Sequence, residues 1–156
     1  MKNKYFPDED IEFDDLYFIC FMIEKVARRL HQHNKYVVNK IGADEFYHLI
    51  SCAQALHTDN PLNTANDWIE NYGLKRGTFD ITKVNPELAE IIPTPTQMGK
   101  VYARLISNTL DKNEDFVSGI MRVYNDAICD TIDNYNCSAF YEPSYVIAQA
   151  YREGGF

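Results

Sequence analysis

The chain has 156 residues, enough for one domain with its own core, and its 46% hydrophobic and 13% aromatic content excludes a disordered polymer. A net charge of −8 argues against non-specific nucleic-acid binding, which depends on neutralising phosphates. Cys20, Cys52, Cys129 and Cys137 form no C-x-x-C pair and read as reduced thiols of a cytoplasmic protein rather than as a disulfide framework.

The charge is unevenly placed. Asp8, Glu9, Asp10, Glu12, Asp14 and Asp15 open the chain, and Lys25, Arg28, Arg29, Lys35 and Lys40 follow with no acid between them. Such a field steers and orients a charged partner but does no chemistry. The acids before the apolar run 16–23 are the reverse of a secretory leader, and that run is too short to cross a bilayer.

A first helix is expected from Asp14 or Asp15, with Leu16, Ile19, Ile23, Ala27 and Leu30 at helical spacing. Phe18, Cys20, Phe21, Met22 and Val26 widen that stripe until the helix reads as central and buried. A short helix at 35–41 stops at Gly42, and Asp44 reads as the N-cap of a third helix running to Leu56. Residues 57–61 break the pattern, a fourth helix covers 64–72, and 74–82 is extended or a small hairpin arm.

Asn85-Pro86-Glu87 reads as the start of a short helix, and Thr94-Pro95-Thr96 opens another with Met98, Val101, Tyr102, Leu105 and Ile106 inward. The longest helix is expected over 113–134, and a last one over 144–152 before Gly154-Gly155. The fold class is all-α: a compact bundle of about seven helices with little or no sheet. Residues 1–156 form a single helical domain in which 1–13 is an acidic tract that can be loose.

Residues 14–60 resemble a bacterial family of unknown function, small helical proteins often encoded beside ADP-ribosyltransferase-like toxin domains. The run Phe18-Ile19-Cys20-Phe21-Met22-Ile23-Glu24, then Leu30, Val37 and Ile41, then Ala55-Leu56-His57-Thr58 carries the resemblance. The family has no assigned activity, so no catalytic residue is transferred. The resemblance implies a cytoplasmic bacterial protein acting near a toxin-like or defence-like system.

Lys25, Arg28 and Arg29, with Lys35 and Lys40, are candidates to bind an anion or an acidic protein surface, or to pair with the chain's own acidic tract. His57 and Thr58 close a helix, where an imidazole can meet the last carbonyls; a catalytic role would need a nucleophile that the neighbourhood lacks. Asp44, His48 and His57 are metal candidates, although their spacing matches no ligand signature and Asp44 is accounted for as a cap. Asp126, Asp130 and Asp133 read as a solvated face with Arg122 pairing Asp126.

Tyr135, Phe140, Tyr141, Tyr145, Tyr151 and Phe156 serve either the core or a contact. No phosphate-binding loop or nucleophile elbow is present, and no cofactor is implied. The expectation is a non-enzymatic cytoplasmic interaction module, a component of a toxin–antitoxin-like or defence locus that binds a neighbouring gene product. The alternatives are a small metal-dependent hydrolase using His48, His57 and nearby carboxylates, and a structural homodimer.

Overall fold

The α1 helix, Phe13–Leu30, is the longest element and the one around which the others assemble. Asp14 and Asp15 lie in its first turn and Arg28 and Arg29 in its last, in the sense that suits the helix dipole. The Asp15 carboxylate accepts the Glu12 amide at 2.8 Å, which fixes the start of the helix. Leu16, Ile19, Cys20, Met22, Ile23 and Val26 are enclosed, so burial runs round most of its circumference.

A computed structural model describes residues 1–156. Eight further helices follow α1: α2 Asn34–Ile41, α3 Ala43–Ser51, α4 Ala53–His57, α5 Pro61–Asn71, α6 Pro95–Thr109, α7 Phe116–Tyr124, α8 Ile128–Ile132 and α9 Ser144–Glu153. A single 3-10 turn spans Ala139–Tyr141, and there is no strand. The α1 helix packs most extensively on α6 and also touches α2, α3, α4 and α5; α7 and α9 lie against α6. One apolar cluster joins all these helices, with Trp68, Tyr102, Tyr124 and Phe46 among its largest enclosed side chains.

Several elements differ from the sequence expectation, each for a local reason. Asp44 is not an N-cap: Gly42, at φ 81°, occupies that position, and Asp44 lies exposed in the first turn of α3. The expected helix from Asp44 to Leu56 is divided at Cys52. Asn3 donates to the Ser51 carbonyl at 3.3 Å, and the Ser51 hydroxyl donates to the His48 carbonyl at 2.5 Å, so the ladder is diverted where the two pieces meet. Pro61 does not end a helix but starts one, because the Asn60 side chain accepts the Leu62 amide at 2.9 Å.

The expected helix 113–134 is two helices. Asp115 caps α7 by accepting the Ser118 amide at 2.8 Å, and α7 ends where Asn125 donates to the Met121 carbonyl at 2.7 Å. Asp126 then accepts the Ile128 amide at 2.8 Å and restarts the chain as α8. At Asn85 the cap forms, accepting the Glu87 amide at 3.0 Å, but only one turn follows. Leu88, Ile91 and Ile92 remain exposed there, so no core contact rewards further growth. Segment 74–82 follows the exit of α1 instead of forming a strand: Gly77 and Phe79 donate to the Leu30 and His31 carbonyls at 2.7 and 2.9 Å.

Residues 1–12 carry no helix, but Asn3 and Ile11 are buried, and Ile11 donates to the Met1 carbonyl at 3.1 Å.

Candidate functional site

The basic stretch does not present all its charges outward. Arg28 turns into the domain, where its Nε lies 3.6 Å from Glu24 Oε2 and its Nη2 donates to the Tyr135 hydroxyl at 2.9 Å. Lys25 lies over the Phe21 ring at 6.0 Å, while Arg29, Lys35 and Lys40 are exposed. The acidic N-terminal tract takes no part in either of the two ion pairs, Arg28–Glu24 and Arg122–Glu114. Arg122 therefore serves Glu114 and the Thr109 carbonyl rather than Asp126, because its turn of α7 faces the α6–α7 connection.

Glu24 has no exposed surface. Asn34, at the first position of α2, donates to its Oε1 at 2.5 Å. Across the core Tyr102 donates to Asp133 Oδ1 at 2.6 Å and stacks on Tyr124 with centroids 4.6 Å apart. Burial pushes both carboxyls up, Asp133 well above the carboxylate range; the charge of Glu24 adds to its rise, and Arg28 opposes both shifts. Arg28 thus offsets two raised acids, the enclosed Glu24 that it pairs with and the half-buried Asp133, and each holds its proton more tightly than a free carboxyl does. Asp133 is accordingly not part of a solvated face: half-buried at the C-cap of α8, it accepts from Tyr102 of α6.

A cleft of about 330 Å³ opens onto Asp133, with His33, Phe79, Asp130, Cys129 and Tyr135 in its wall. Cys129 is no nucleophile there, because burial holds its thiol far above the range in which thiolate forms. Burial likewise pushes the Cys20 thiol up to about 12. All four cysteines are free, and only Cys137 is exposed.

His57 is the last residue of α4, is exposed, and sets its ring edge-on to Phe18, with centroids 5.3 Å apart. Thr58 donates its hydroxyl to the Ala55 carbonyl at 2.7 Å and closes that helix. Beside them runs a groove of about 700 Å³ between the first half of α1, α4, and the starts of α5 and α6. Tyr17, Phe18, Phe21, Ala53 and Pro61 form its apolar surface, and Glu12, Asp14, Asp15 and Asp59 its charged one. No lysine or arginine lines it. A second cleft of about 430 Å³ adjoins at Tyr17 and Thr96 and reaches Lys100, Arg104 and Tyr141.

The metal candidates do not converge. Asp44 and His48 lie on α3, His48 packs against the Tyr5 ring at 5.1 Å, and His57 belongs to the groove on α4. No group of three His, Cys, Asp or Glu side chains has a geometry that could hold a metal ion. The ring-rich C-terminus divides: Tyr135 and Phe140 are buried, while Tyr141, Tyr145 and Phe156 are exposed. No helix is long and apolar enough to cross a membrane.

Sequence reasoning passed over the Glu24–Asp133 cluster and the groove acids as site residues. The signal for the first is a carboxylate within a helix apolar round most of its circumference; the partner at the C-cap of α8 has no signature in the chain. For the groove, Phe18 and His57 are both visible in the sequence, but their contact across the intervening chain is not. Comparison with protein-family models, curated proteins and solved structures finds no match to this chain.

Proposed function

We propose that the chain is a non-enzymatic protein-interaction module that binds and restrains a neighbouring gene product in a toxin–antitoxin-like or defence locus. The observation that carries this reading is a set of exposed large apolar side chains, one of which, Tyr141, lines the smaller of two adjoining clefts. Tyr141 and Tyr145 are 55% and 70% exposed, and Leu88, Ile91 and Ile92 protrude from the segment that leads into Pro93, which lines the same cleft as Tyr141. Water-exposed rings and branched chains at a cleft mouth are the usual anchors of a protein interface. The resemblance of residues 14–60 supports the locus, and Phe18 and His57, two of the residues that carry it, meet on the groove wall. The hydrolase alternative lacks support, since Asp44, His48 and His57 make no metal-holding group.

The test is co-expression of the tagged chain with the adjacent gene product, followed by purification at low salt. A stoichiometric complex is expected, weakened by Tyr141→Asp with Tyr145→Asp. Purification of the chain alone from every such pairing, with no other protein retained, overturns the reading. A second reading, self-association through Tyr141 and Tyr145, is decided by light scattering over a dilution series.

A further inference from the structure

We propose that the groove between α1, α4 and α5 is the seat of a basic, amphipathic segment of the partner protein, one whose apolar residues are flanked by lysine or arginine. This rests on the interaction reading above and adds the chemistry of the partner.

Charge complementarity is the first argument. Four carboxylates line the groove and no lysine or arginine does. None of the four is in an ion pair, since the chain's two ion pairs lie elsewhere. Glu12 and Asp15 belong to the cap of α1, and Asp59 accepts the Asn60 amide at 2.7 Å, an interaction that leaves its charge unneutralised. Asp14 is exposed and unpaired. Asp8, Glu9 and Asp10, all exposed, precede this end of α1 in the chain and add to its negative field. An acidic peptide or a nucleic-acid backbone is repelled from such a surface.

The groove surface supplies the second argument. Half-buried Tyr17 and Phe21, with Ala53 and Pro61, give the groove an apolar surface above the buried Phe18, so the occupant must bury apolar surface as well as place cations. The chain's own lysines already use the rings in this way: Lys25 lies over Phe21 at 6.0 Å and Lys100 over Tyr17 at 5.6 Å. A segment with apolar anchors and flanking cations meets both requirements, as helix-in-groove recognition does elsewhere.

The experiment is fluorescence anisotropy of the full chain with three labelled peptides of equal length: leucine with lysine at helical spacing, leucine with glutamate, and serine with lysine. The leucine–lysine probe is expected to bind in a salt-sensitive manner, the leucine–glutamate probe not at all, and the serine–lysine probe roughly tenfold more weakly than the first. Asp14→Lys with Asp59→Lys is expected to weaken the first probe by about tenfold or more. The control Asp111→Lys with Asp130→Lys makes the same change in net charge away from the groove and is expected to keep binding within about threefold.

Equal losses in both double variants, or no binding of the leucine–lysine probe, overturn the proposal. So does a homodimer that dissociates in Asp14→Lys with Asp59→Lys, which would give the groove to a second copy. A complex with the neighbouring gene product that survives this groove variant overturns the groove assignment and leaves the interaction reading standing. A probe that binds as expected while no protein complex forms has the opposite meaning.

Discussion

Glu24 and Asp133 are carboxyls that the fold withdraws from water, Glu24 wholly and Asp133 in part, and both shape the chain's response to pH. Both carboxyls are pushed up by burial, so the folded chain holds a proton that the unfolded chain has released above about pH 4. Their contribution to stability is full below the ordinary carboxylate range and is lost as pH rises through the folded values. Asp133→Asn keeps an acceptor for Tyr102 and removes the titration. The melting temperature of native protein is expected to fall as pH rises above the ordinary carboxylate range, and that of the variant to fall less; an identical fall in both counts against a raised Asp133 carboxyl. Arg28 and Arg29 are neighbours in sequence with opposite fates. Arg28→Glu sets a third carboxylate against a buried one and is expected to cost about 3–5 kcal/mol in urea titrations, whereas exposed Arg29→Glu stays within about 0.5 kcal/mol. Sequence alone grouped them as one patch, because sequence carries the charge of a side chain but not the direction it takes at the end of a buried helix.

Some helix ends written in local chemistry are legible, as at Thr94; others just as local, the Asn60 cap before Pro61 and the Asp126 restart of α8, are not, nor are those that depend on distant contacts. Thr94 accepts the Gln97 amide at 3.1 Å while Gln97 accepts that of Thr94 at 2.8 Å, a reciprocal cap written within four consecutive residues. Thr94→Ala is expected to lower stability by about 1 kcal/mol in thermal melts, with no change in binding of the groove probes. The division at Cys52 depends on Asn3, far away in the chain, and could not be read locally. The crossing of α1 and α6 is similar. A Cβ at Gly99 would lie 2.7 Å from the backbone of Phe21, so this glycine lets two helices approach closely. Gly99→Ala is expected to destabilise by about 1–3 kcal/mol or more, through main chain that cannot yield, and to shift the Phe21 side of the groove; a melting temperature equal to the native one would falsify the close crossing.

At the scale of the molecule, α1 is enclosed by five other helices, while 85–93 has one turn and exposed apolar residues. Amide exchange should divide accordingly: amides in the middle of α1 open only with global unfolding, and those of 90–92 exchange near the rate of free peptide. Similar protection in the two would contradict the central role of α1. The all-helical class, the burial of α1 and the starts or stops at Gly42, Thr94 and Gly154 follow from the sequence by itself, because apolar periodicity, capping side chains and glycine act over a few residues. Which acid is enclosed, which arginine turns inward, where α3 gives way, and how Phe18, His57, Asp14 and Asp59 come to share one groove were decided only by the tertiary structure. Those outcomes depend on what lies across the core from each residue, and residues that meet across a core are unconstrained in their separation along the chain.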